Sequence, residues 1–168
     1  MSMDQTDVDF ADFYRQFRAG CFRAVYATVG DRTLAEDLVA EGFARACASW
    51  RKISRHPSPQ AWVVRTALNL NVSRWRRQRR EVAWDDRDVP AVESPAVDGD
   101  LAVLAALSAL PRRQREVVAL RIFLDLDTET TAETLGIAPG TVTAHLARAT
   151  GTLRALLAPS TDQESVTR

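Results

Sequence analysis

The chain has 168 residues, 46% hydrophobic and 26% charged, with a formal net charge of zero, which is apolar enough for one ordinary domain or two small ones and excludes an intrinsically disordered protein. Two cysteines and two histidines exclude a disulfide framework and give no metal cluster. The acidic start MSMDQTDVDFADF lacks a basic leader, and no stretch reaches the roughly 20 apolar residues of a membrane span, so the expectation is a soluble cytoplasmic protein without cofactor or membrane insertion.

From Phe10 to Val29 apolar residues recur as Phe10, Phe13, Phe17, Phe22 and Val25, and Gly30-Asp31 closes this first helix. A second helix is expected from Thr33 to Trp50, with Leu34, Leu38, Phe43 and Cys47 on one face and Glu36, Asp37, Glu41 and Arg45 on the other. Cys21 and Cys47 read as buried structural thiols. The segment RKISRHPSPQ reads as a loop, because Pro57 and Pro59 prevent helix continuation.

A third helix is expected from Ala61 to about Arg80, where Ala61, Val64, Leu68, Val72 and Trp75 form one apolar stripe at steps of three and four. This stripe favours a core role for Trp75 over base stacking. The same helix ends in NVSRWRRQRR, with five arginines in ten residues. A solvated basic face is the ordinary meaning of such a run, but like charges with no carboxylate three or four residues away repel one another. An anionic partner relieves that conflict, since arginine binds phosphate bidentately and displaces counterions from nucleic acid. A membrane surface would also attract the charge, but the apolar stripe is narrow and already committed to a core.

Charge by segment is more informative than the total. Residues 51 to 80 carry nine bases and no acid, whereas residues 81 to 100 carry seven acids and one base. The acidic stretch, with two prolines and no apolar periodicity, reads as a linker. The expected architecture is therefore all-α: a domain at 1–80, a linker at 81–100, a second small domain at 101–158 and a tail at 159–168.

In the second domain Pro111 opens a helix continuing through Val117, Leu120 and Phe123. Thr128 to Leu135 forms a shorter helix capped by Asp127 or Thr128, and Gly136 suits the left-handed turn that ends it. Pro139 opens a last helix with Val142, Leu146, Leu153 and Leu156 turned inward. The spacing Ala132, Gly136, Val142 is that of a helix-turn-helix: a small residue at the crossing, a glycine in the turn, and a branched apolar residue on the second helix.

Together AEDLVAEGFARACASW, PQAWVVRTALNLNVSRWRRQRR and LPRRQREVVALRIFLDLDTETTAETLGIAPGTVTAHLARA resemble the extracytoplasmic-function (ECF) group of bacterial sigma factors, in colinear order over about residues 10 to 157. The resemblance implies a sigma domain 2 that melts the minus-ten element and a sigma domain 4 that reads the minus-thirty-five element as duplex. Core RNA polymerase and promoter DNA, duplex and melted non-template strand, are the implied partners. Many members of the family are held inactive by an anti-sigma factor, though nothing in the sequence names one.

By position, the resemblance implies that Leu34, Asp37, Leu38, Glu41 and Arg45 dock on the polymerase. The loop Arg51 to Gln60 would hold a flipped base. Asn69, Ser73, Arg76, Arg77, Arg79 and Arg80 would face the minus-ten DNA. Thr141, Thr143, Ala144, His145 and Arg148 would line the recognition helix, with Arg112, Arg113 and Arg115 on phosphates. This chain departs from the family's common residues at Ala40 (glutamine), Thr143 and His145 (basic), Ala138 (a capping serine) and Ser73 (aspartate). Its recognition helix is therefore poor in charge, and weak duplex binding with a small salt slope is expected.

No nucleophile sits beside a base at telling spacing and no glycine loop is built to cradle phosphate, so the expected function is binding and strand opening, not enzymatic catalysis. Two other functions use the same pattern: a helix-turn-helix regulator acting without polymerase, and a degenerate sigma-like protein that binds polymerase or an anti-sigma factor without initiating.

Overall fold

The computed structural model describes residues 5–82 and 98–158, with side chains at 9–80 and 101–158. The central acidic segment and the tail at 159–168 lie outside these residues. All regular elements among them are helical: α1 (Gln5–Val29), α2 (Arg32–Ala48), α3 (Trp50–Ile53), α4 (Pro59–Val82), α5 (Asp98–Ser108), α6 (Arg112–Val118), a π-helical turn (Ala119–Phe123), α7 (Thr128–Leu135) and α8 (Pro139–Leu157).

In the first unit α1, α2 and α4 pack around one core, and α3 closes its end. Phe13 sits among aromatic neighbours, with ring centroids 4.7 Å from Trp50 and 5.6 Å from Phe43, and all three rings are buried. The crossing of α2 over α4 depends on Gly42: a Cβ there would lie 3.0 Å from the Val63 carbonyl oxygen, so only a bare Cα lets the backbones approach this closely. Asp31 caps α2 by accepting the Leu34 N–H at 2.8 Å.

The sequence expectation differs from the structure at definite points. The 51–60 stretch is not wholly a loop: Trp50 and Ile53 are buried on the short α3, and α4 already begins at Pro59, where a missing N–H costs nothing. On α2 the inward position of the last turn belongs to Ala46, and Cys47 is exposed, because a 3.6-residue period turns the next residue away from the core. Cys21 is fully buried, and burial pushes its thiol up to about 12.

Helices α4 and α5 extend at Val82 and Asp98 into the segment expected to be linker. Leu156 on α8 is 52% exposed: the inward side of this helix carries Val142, Leu146, Ala149 and Leu153 and ends there, since α8 outruns the elements it packs against.

The second unit carries the helix-turn-helix. Ala132, Val142 and Val117 form a buried cluster, so the expected triad meets where α7 and α8 cross. Gly136 ends α7 at φ 65°, ψ 40°, and the Ile137 N–H reaches the Ala132 carbonyl at 3.1 Å, the αL closure in which glycine avoids a Cβ penalty. Asp127 is the cap of α7: its carboxylate accepts the Thr130 N–H at 2.7 Å, and that hydrogen bond holds its pKa below the ordinary value.

Candidate nucleic-acid interface

Helix α4 changes character along its length. Its first half supplies Ala61, Val63, Val64, Ala67 and Leu68 to the core, whereas every side chain from Ser73 to Arg80 is exposed. The apolar stripe therefore stops at Val72, which is half-buried. Trp75 is 52% exposed rather than core, because α4 has run past the helices that cover its beginning. The Arg79 guanidinium lies 4.1 Å from the centroid of its ring, a cation–π pair that presents one composite flat surface.

Arg76, Arg77, Arg79 and Arg80 all lie on this exposed half-helix, together with Ser73. Asn69 is exposed one turn earlier, beside Arg112 and Arg113 in a small cavity of about 100 Å³. A cleft of about 410 Å³ between α4 and α6 is lined by Val72, Trp75, Arg76, Arg112, Arg115 and Glu116, among others.

On the helix-turn-helix, Thr141, Thr143 and Arg148 are exposed, whereas Ala144 and His145 are half-buried, so the structure sets the five expected recognition residues around the outer side of α8 with unequal exposure. Among these five residues the one permanent cation is Arg148. Arg112 and Arg113 are not free cations: Glu116, whose side chain is 4% exposed, accepts Arg112 Nε at 2.8 Å and a terminal nitrogen of Arg113 at 2.9 Å. The sequence did not predict this buried carboxylate, although i,i+4 and i,i+3 spacing from Arg112 and Arg113 was its signal. Arg115 Nε and His145 Nδ1 are buried without a hydrogen-bond partner.

The residues expected on the polymerase side separate into two groups. Asp37 and Glu41 are exposed on α2, and Glu41 pairs with Arg45 at 2.7 Å; Leu34 is half-buried. Leu38 is 2% exposed and belongs to the core, so it supports this face from behind and is no contact residue. Beside the face, α1 and α2 frame a groove of about 520 Å³ whose lining includes Tyr14, Arg18, Phe22, Arg32, Ala40 and Phe43. In the stretch between α3 and α4, the Ser58 N–H donates to His56 Nδ1 at 3.0 Å, and Ser54, Arg55, His56 and Pro57 are exposed.

Comparison with known proteins agrees with this geometry. The family model described as Sigma-70 region 2 matches residues 13–81, and that described as Sigma-70, region 4 matches residues 100–153. The chain is 30% identical over 150 residues to the RNA polymerase sigma-E factor of Streptomyces antibioticus, covering 88% of this chain and 83% of that one. It is 30% identical over 135 residues to the RNA polymerase sigma factor HrpL of Pseudomonas syringae pv. syringae, covering 74% and 73%. Among solved structures, the sigma factor RpoE of Bartonella quintana, crystallised with the anti-sigma factor NepR, shares the fold, with a TM-score of 0.75 at 24% identity over 90% of this chain and 98% of that one. An arginine-bearing helix in the region 2 match and a helix-turn-helix in the region 4 match, at this level of identity to named sigma factors, make the chain a member of the extracytoplasmic-function RNA polymerase sigma factors.

Proposed function

We propose that the exposed half of α4 is the surface on which this sigma factor holds melted promoter DNA. Ser73, Arg76, Arg77, Arg79 and Arg80 follow the strand backbone, with Asn69 one turn earlier. The observation that carries this reading is the abrupt end of core contacts at Val72: eight consecutive side chains from Ser73 to Arg80 are given to the surface, and four of the five arginines lie after Trp75. The Trp75–Arg79 pair offers a flat face to an unstacked base, whose stacking contributes about 1–3 kcal/mol. The exposed residues between Ser54 and Pro57 are the candidate pocket for a flipped base, and Arg148 with Thr141, Thr143, Ala144 and His145 reads the minus-thirty-five duplex.

Asp37, Glu41 and Arg45 form the candidate docking face for core polymerase, and an anti-sigma factor is the corresponding candidate inhibitor. The protein acts by binding and strand opening, without covalent chemistry. Among the described residues no helix is long and apolar enough to cross a membrane.

The test is in vitro transcription of fragmented genomic DNA from the encoding organism, using core polymerase with and without the chain and sequencing the transcript starts. Discrete starts that require the chain are expected. Sequence-specific DNA binding without core, and no new starts, would make it a conventional regulator; polymerase binding without new starts would make it a degenerate sigma-like protein.

A further inference from the structure

The cleft between α4 and α6, about 410 Å³, falls in the range of small-ligand pockets, roughly 300 to 1,000 Å³. Its α4 wall is one helical face: Leu68, Asn71, Val72, Trp75 and Arg76 stand at i, i+3, i+4, i+7 and i+8. Across from them α6 supplies Arg112, Arg115 and Glu116.

The charges in this cleft do not balance. Three guanidiniums line it against one carboxylate, and that carboxylate is already engaged, since Glu116 accepts from both Arg112 and Arg113. Among the described residues neither Arg76 nor Arg115 has a carboxylate partner. Arg115 Nε is in addition buried without a hydrogen-bond partner, and a buried donor on a charged group is unfavourable until an acceptor reaches it. Both features call for an anion inside the cleft, where a guanidinium fork fits a phosphate group bidentately.

The same cleft offers an aromatic surface. Trp75 is half exposed, and the Arg79 guanidinium stands over one face of its ring at 4.1 Å from the centroid. A flat ring entering the cleft can stack on the indole face that Arg79 leaves free, and such stacking accepts any base because every base has a π-face. An aromatic platform next to uncompensated arginines is the chemistry that recognises a nucleotide, which carries a base and phosphates on one small molecule.

We propose that this cleft is a binding site for a free nucleotide with at least two phosphate groups, its base stacked on Trp75 and its phosphates held by Arg76 and Arg115. Trp75 and Arg76 come from the region 2 match and Arg115 from the region 4 match, so neither unit holds the ligand alone.

The experiment titrates ADP into the full chain by isothermal calorimetry in magnesium-free buffer, with adenosine and inorganic pyrophosphate as control ligands. ADP should bind one to one, and each control, lacking either the phosphates or the ring, should bind several times more weakly. Trp75→Ala should weaken ADP binding roughly tenfold through lost stacking, and Arg115→Gln should do the same through a lost charged hydrogen bond. Arg74→Gln, an exposed position on the same helix that does not line the cleft, should leave ADP binding unchanged. No saturable heat with ADP, pyrophosphate binding as tight as ADP, wild-type affinity in Trp75→Ala or Arg115→Gln, or equal weakening by Arg74→Gln overturns the site. These titrations contain neither polymerase nor promoter, so their outcome is independent of whether the chain initiates transcription.

Discussion

Arginine side chains that sit on DNA phosphates leave a thermodynamic signature distinct from arginines that merely keep a helix soluble. Replacing Arg76, Arg77 and Arg80 together by glutamine removes three exposed guanidiniums with little change in helix propensity and leaves the Arg79–Trp75 pair in place. Each single-strand phosphate contact contributes about 0.7 to the slope of log affinity against log salt. The variant holoenzyme should therefore show a slope shallower by about 2. Raising salt from about 50 to 200 mM is a fourfold change, so the wild-type advantage should shrink by roughly 15- to 20-fold across that interval. The assay is competition binding of holoenzyme to a pre-melted promoter fragment at four or five salt concentrations. Core polymerase contributes equally to both lines and cancels in the difference. Parallel lines would refute the phosphate assignment, even if the variant bound more weakly at every concentration.

Three further outcomes follow from other parts of the structure. Glu116→Gln removes a buried charge that holds two half-exposed guanidiniums; after discounting for solvent screening it should cost roughly 2 kcal/mol and lower Tm by several degrees in calorimetry, while the two released arginines steepen the salt dependence of duplex binding. Gly136→Ala forces a Cβ into φ 65° and should destabilise by about 1 kcal/mol in denaturant unfolding, with the midpoint shifted and the slope unchanged. At pH 8, Cys47 should react readily with a disulfide reagent and Cys21 only on unfolding, since burial raises the Cys21 thiol from 9.0 to about 12 and leaves it about a thousandfold less thiolate. The sign of the linked stability follows: a raised folded-state pKa gives a contribution fully present below pH 9 that is lost as pH climbs towards 12, detectable as a falling unfolding midpoint in alkaline buffers.

Much of this architecture was legible because local signals agreed with the tertiary result. The triad Ala132, Gly136 and Val142 specified a crossing, a left-handed turn and a packed second helix, and all three conditions are local enough to be read from spacing. Periodicity misled where a helix outruns its neighbours. Trp75 and Leu156 continue an inward stripe, but which positions are covered depends on where the opposing helices end, and a stripe carries no information about that. Cys47 failed for a related reason: Ala46 is small enough to escape notice as a core residue, yet it takes the inward position. The Glu116 clamp was visible as a spacing, but its meaning required knowing that the carboxylate is buried.

On the proposed assignment of α4 to the melted strand and of α8 to the duplex, the distribution of charge sets how affinity divides between the two promoter elements. On the helix-turn-helix side Glu116 offsets Arg112 and Arg113, and the recognition face of α8 adds one exposed arginine at 148. On α4 four arginines follow Trp75 on an exposed surface. Duplex recognition therefore gains little from counterion release, whereas strand capture gains much. Such a protein gains little by binding closed promoter DNA on its own and most once strands have separated, which couples affinity to opening. A shift towards duplex binding, as expected for Glu116→Gln, should raise occupancy of unmelted sites while leaving the rate of strand opening on saturated promoter unchanged, and stopped-flow opening kinetics can separate these two quantities.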